Sequence, residues 1–167
     1  MAEIAGIGRR IASLTVASAT LSLMLAWNAL AAGQPAPASE QAGAIREILA
    51  KYGLLGRQAR DCHMPPGRDN VYVTYYVTDD TVRQGLIVDV SHHIFSSSRV
   101  ISVEEIAPRI LRFKQESRSG AFVTFDLHID GQRVRSFEST LSTGEVLIRD
   151  GKLLAQGHDT DWMTKCE

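Results

Sequence analysis

His92 and His93 are the side chains whose type and spacing first invite a chemical reading. Imidazole is a good ligand for zinc and copper. Neighbours on an extended strand point to opposite faces, so this pair could reach one ion only from a turn. Ser91 before it and Ser96-Ser97-Ser98 after it predict such a turn, and His63, His158 or Asp161 would complete a metal site. The plainer reading is two exposed loop histidines, since no His-x-x-x-His or Cys-x-x-Cys spacing accompanies them. Asp126, His128 and Asp130 share one face of a strand, with Arg133 and Arg135 across a hairpin. A carboxylate beside His128 would tune it as a base. The alternative is a solvated face whose opposite charges contribute about 0.2–1 kcal/mol per cross-strand pair. Tyr72, Tyr76 and Phe122 are the candidates for lining a ligand cavity, if the sheet encloses one; otherwise they are core.

Other signals of catalysis are missing. Cys62-His63 places a nucleophile beside a base in sequence only, and sequence neighbours seldom give triad geometry. Asp159-Thr160-Asp161 lacks the further ligands and the Gly of a calcium loop. There is no Gly-x-Ser-x-Gly elbow, no Walker loop and no Gly-x-Gly-x-x-Gly turn. The sequence names no reaction and predicts no cofactor. With Lys+Arg 18 against Asp+Glu 19 it also lacks the basic excess of a nucleic-acid binder. At 167 residues and 44% hydrophobic it has the material for one folded domain rather than a disordered chain.

Composition is uneven along the chain. Met1 to Arg10 carries Arg9 and Arg10, Ile11 to Ala31 carries no charge, and Ala29-Leu30-Ala31 is followed by Ala32. A charged start, an apolar middle and a small-x-small end predict a secretory signal peptide over residues 1–32, cleaved after Ala31 or Ala32. The uncharged run would also span a bilayer, which takes about 20 residues. Ser13, Thr15, Ser18, Thr20, Ser22 and Asn28 dilute it, however, and no basic flank follows. The mature chain is then periplasmic or secreted, mildly acidic, and without a membrane segment. Export brings Cys62 and Cys166 into an oxidising compartment, where one intramolecular disulfide is the simplest outcome.

Residues 33–38, with Pro35 and Pro37, read as a flexible leader, and 39–167 as a single β-rich domain. Ser39 is a good N-cap, and Ala42, Ile45, Ile48, Leu49 and Tyr52 follow at helical spacing until Gly53 ends the helix. From there the period changes to two. Strands are expected at Leu54–Cys62, Val71–Val77, Gln84–Val90, Arg99–Val103, Ile110–Gln115, Ala121–Asp130, Arg133–Leu141, Val146–Arg149 and Lys152–Ala155. Pro108 is expected to interrupt pairing over Glu104 to Arg109. Asp130-Gly131 and Asp150-Gly151 predict tight hairpins. Turn signals about every 8–12 residues mark an antiparallel, up-and-down meander. The expected architecture is a calycin-like barrel with one N-terminal helix that lies against the domain or plugs one end. The alternative is an open curved sheet packed on the helix.

Leu54 to Cys62 followed by Pro65-Pro66, together with Asp150 to Leu154 and Trp162 to Cys166, resembles a group of small exported alphaproteobacterial proteins of unknown function. The opening is also similar to the first strand of lipocalin-like barrels, although their Gly-x-Trp mark is here Gly56-Arg57-Gln58. The resemblance implies an exported barrel and no particular activity. From the residues and this resemblance we expect a non-enzymatic periplasmic barrel that binds a small apolar or amphipathic ligand or an envelope partner. The competing expectations are a filled barrel acting as an interaction protein, and the histidine metal site.

Overall fold

A computed structural model describes residues 37–166. The segment expected to be a signal peptide, residues 1–32, and most of the expected leader lie outside the described residues. The first element is α1, Ala38–Lys51. Its N-cap is Pro37, at φ −55° and ψ 146°, with no side-chain cap, so Ser39 sits inside the first turn rather than capping it. Proline already carries a helix-compatible φ and an extended ψ, which sets the entry angle without a hydroxyl. The C-terminus follows the sequence. Gly53 adopts φ +61°, its N–H donates to Ala50 O at 3.0 Å, and Leu54 N–H donates to Leu49 O at 2.7 Å. This doubly bonded stop needs a left-handed residue, where a side chain costs about 1–2 kcal/mol. It also brings Leu49 and Leu54 together, both fully buried.

Ten strands follow: β1 Gly56–Ala59, β2 Tyr72–Thr78, β3 Thr81–Ile87, β4 Ser96–Ala107, β5 Ile110–Glu116, β6 Phe122–Asp130, β7 Arg133–Leu141, β8 Val146–Arg149, β9 Lys152–Leu153 and β10 Met163–Cys166. Neighbours pair antiparallel from β1 through β9, while β10 pairs with both β1 and β7. That double pairing closes β1 to β7 and β10 into an eight-stranded antiparallel barrel, with β8 and β9 continuing from β7 outside the ring. Closure removes the open curved sheet as a description. It also makes a strand of the C-terminal tail, which the alternation pattern did not flag.

Several boundaries shift for local reasons. The first strand shrinks to Gly56–Ala59, because Asp61 to Asn70 forms a loop around buried Asn70. The Asn70 amide donates to Asp61 O and Met64 O and accepts from Asp61 N–H. β3 begins at Thr81, three residues early, because Asp79 takes φ 48° and turns the chain in two residues. Pro108 does not interrupt β4. Register shifts between Val100 and Ser102 and between Glu105 and Ala107 keep the strand paired up to Ala107, and Pro108 falls in the turn.

Inside the ring, Tyr75, Val82, Val100, Val103, Leu111, Phe113, Phe125, Leu127, Ile129 and Val134 form one core with Ile45 and Leu49 of α1. Phe113 stacks on Phe125 at 4.9 Å and meets Tyr75 at 5.5 Å. The helix is pinned over this core at both ends. Gln41 Nε2 donates to Ile101 O beside the β4 bulge, and Lys51 Nζ lies 2.8 Å from Glu105. The hydrogen bond from Lys51 holds the Glu105 carboxyl below its ordinary range.

A second, smaller cluster of Ala59, Tyr72 and Ile87 packs with Cys166. Cys62 and Cys166 form a disulfide across a separation of 104 residues. On the chain-entropy view such a loop contributes about 4–5 kcal/mol. The bridge fastens the strand that closes the barrel.

Candidate ligand cavity

β7 changes partner along its length. At Arg133 and Val134 it pairs with β10, and from Ser139 onward with β8. Between the two, Ser136 O accepts the Thr160 hydroxyl at 2.6 Å. A cavity of about 270 Å³ opens at this exchange, between β1 to β3 on one side and β6, β7 and the β8–β9 hairpin on the other. Val73, Phe125, Leu127, Ile148, Leu153 and Met163 supply its apolar wall. Gln58, Tyr75, Gln84, Ser136, Thr160 and Asp161 supply the polar groups, and Arg135 also lines it.

The polar groups are held by strand register. Tyr75 and Gln84 are direct partners on β2 and β3, and the Gln84 amide donates to the Tyr75 hydroxyl at 2.8 Å. Gln58 is opposite Val73, and its amide donates to Leu54 O at 2.7 Å and Gly56 O at 3.3 Å. Burial pushes the Tyr75 phenol well above its ordinary range, so it stays a neutral hydroxyl. Nearby, the Arg135 guanidinium lies over Trp162 at 4.9 Å and Phe137 at 5.9 Å and touches the position a Gly151 side chain would occupy. Its Nε is buried without a partner among the described residues.

The aromatics expected to line a cavity lie elsewhere. Tyr75, Phe113 and Phe125 take the inward parity, which puts Tyr72, Tyr76 and Phe122 on the outer face. Tyr72 belongs to the disulfide cluster, with its hydroxyl 2.9 Å from Met64 O and 3.1 Å from Cys62 O. Tyr76 lies against Gly85, whose missing side chain also admits Ile94 of the 88–95 loop; a Cβ there would come within 3.0–3.2 Å of three neighbouring side-chain atoms. Phe122 carries the Lys114 ammonium over its ring at 5.3 Å. The structure therefore does not bring the three together.

His92 and His93 stand in the loop after β3, as the serines predicted. His92 is at φ 58° and meets Tyr72 edge-on at 6.4 Å. Asp89 shapes the turn by accepting from the Ser91 hydroxyl and backbone N–H, which lowers its pKa. Among the described residues no three His, Cys, Asp or Glu side chains gather as a metal site. Asp126 does not face His128; both its oxygens accept from Arg112 at 2.8 Å, while His128 packs near Phe137 and Trp162.

A larger groove of about 660 Å³ runs beside the C-terminus of α1, past Arg109, Gln132 and Lys165. It is an open surface. Lys165 Nζ there donates to Tyr52 O at 2.5 Å and Gly131 O at 3.1 Å, tying β10 to the helix end, and loss of water lowers its pKa. This contact fastens the barrel together and forms no recess.

The residues that matter for the cavity left a signal in the sequence. Gln84 breaks the apolar alternation of Val82 and Leu86. An amide at an inward position implies either a partner or a space beside it. Compared with known protein families, with curated proteins and with solved structures, the chain matches none, so geometry alone carries the functional reading.

Proposed function

We propose that this is an exported, periplasmic, non-enzymatic barrel protein that takes a small apolar or amphipathic molecule into the cavity between β2 and the β8–β9 hairpin. The observation that supports it is the cavity itself, apolar over most of its wall, with a few polar groups at fixed positions and one charge of each sign. Ligand sites commonly combine these features. Export is supported by the Cys62–Cys166 disulfide, which forms and persists in oxidising compartments. Among the described residues no helix is long and apolar enough to cross a membrane. A second reading, docking to an envelope partner, is favoured by the exposed Val90 and Phe95 of the His92-His93 loop.

Cumene, a neutral aromatic hydrocarbon, tests the ligand reading. In an NMR titration it should shift the methyl signals of Val73, Leu127, Ile148, Leu153 and Met163, and Ile148→Trp should abolish those shifts while leaving the melting temperature within a few degrees. No methyl response up to the solubility of cumene would sink the reading and leave the barrel as a filled scaffold.

A further inference from the structure

The cavity wall holds a hydroxyl donor that no described group meets. Tyr75 is 2% exposed, and its only side-chain hydrogen bond among the described residues comes from Gln84 at 2.8 Å. A hydroxyl that accepts from an amide N–H keeps its own proton, and no described group receives it. Turning the Gln84 amide over would hand that proton to Oε1 and free both amide N–H groups instead, so the pair keeps an unused donor in either orientation. Gln58 does not receive it: its amide N–H groups donate to Leu54 O and Gly56 O, and its Oε1 makes no hydrogen bond to Tyr75. Native interiors leave few polar groups unpaired. Strand register holds this pair, with its spare donor, on the wall of the cavity.

Charge and size narrow the acceptor. The charged side chains on the wall are Arg135 and Asp161, one of each sign. The Arg135 guanidinium stacks on the Trp162 and Phe137 faces, and its buried Nε–H is a further donor without a partner among the described residues. A carboxylate entering here would meet Asp161 as well as Arg135, so the wall offers no net charge to offset its lost water, and burying a charge that way is costly. An uncharged carbonyl needs only the one or two donors that the pair offers. At about 270 Å³ the cavity has the volume of about nine waters at ~30 Å³ each, which suits an organic molecule of about that many heavy atoms.

We infer that the ligand is a small neutral molecule with an apolar body and a carbonyl oxygen, and that the Tyr75–Gln84 pair receives that oxygen. This rests on the reading of the cavity as a ligand site and deepens it. Burial, which keeps the Tyr75 hydroxyl protonated across the physiological range, agrees with a donor role.

Three molecules of nearly one shape separate the possibilities: cumene, acetophenone and benzoate. Each is titrated into the full mature protein by NMR, then into Tyr75→Phe, which keeps the ring and its packing on Phe113, and into Gln84→Met. Acetophenone should bind wild type about 10-fold or more tighter than cumene, the effect expected from one well-placed hydrogen bond. Both variants should reduce that ratio to near one without weakening cumene, and benzoate should bind more weakly than acetophenone. Equal affinity for cumene and acetophenone, or a ratio untouched in both variants, overturns the carbonyl assignment while leaving a generic apolar site. Tighter binding of benzoate overturns neutrality and points to Arg135. Absence of binding by all three overturns the cavity reading and this inference with it.

Discussion

Leu49, Leu54 and Leu111 meet with no exposed surface where α1 covers the barrel, and Val82 packs into the same core. Further along the same strands the inward positions are Gln58, Gln84, Gln115, Ser136 and Ser139, and the cavity opens beside the first two. One ring of strands thus has a dry, helix-plugged half and a half lined by amides and hydroxyls. The difference shows where stability and where recognition reside. Close apolar packing contributes about 25 cal/mol per Å² removed from water and leaves no room. Amides held with unspent donors contribute little to stability and provide a place to bind. The disulfide and the Lys165 contacts fasten the closing strand, so the second half can stay open without the ring opening.

Truncation in the dry half should do the most damage. Leu49→Ala is expected to cost about 2–5 kcal/mol, read as a lower midpoint in denaturant with the disulfide intact, because nothing near the helix can collapse into the space. A loss below about 1 kcal/mol would show that the helix is not an integral part of the core. Alkaline pH tests the border between the halves. The folded-state pKa of Tyr75 is raised by burial, so its contribution is fully present below the unfolded value near 10 and is lost as pH rises beyond it. Wild type should lose up to about 1.4 kcal/mol per pH unit above pH 10 relative to Tyr75→Phe. Parallel stability curves for the two proteins would contradict that burial. The smallest effect is expected in the amide-lined half. Gln115→Met removes a buried donor without a partner and should change stability by about 1 kcal/mol or less, toward greater stability. A loss of several kcal/mol would mean that Gln115 is paired and the contrast between the halves is overdrawn.

Much of this was legible along the chain, for reasons tied to local chemistry. The helix stop at Gly53, the hairpins around Gly131 and Gly151, and the alternation of Val123, Phe125, Leu127 and Ile129 all depend on a residue's own φ or on which of two faces its neighbours take. The pairing of Cys62 with Cys166 was legible once export was inferred. Parity did not settle which face of β2 is the interior: Val73 and Tyr75 alternate with Tyr72, Thr74 and Tyr76, and both sets can be buried. The disulfide cluster takes in Tyr72, and Tyr76 and Ile94 of the 88–95 loop meet over Gly85, so these two tyrosines belong to the outer face. β10 was missed because Met163 to Cys166 shows no apolar alternation; its order comes from two neighbouring strands and a bridge rather than from its own side chains.

The sequence by itself determined the strand periods, the helix and its end, the turns and the single cross-link, since each rests on interactions within a few residues or on there being only two cysteines in the chain. The tertiary structure decided for the expected barrel over the open sheet, and it alone showed that β7 exchanges β10 for β8 and that a cavity with unspent donors lies at that exchange. Closure depends on how tilt, bulges and register accumulate around the whole ring, and no single segment carries that sum.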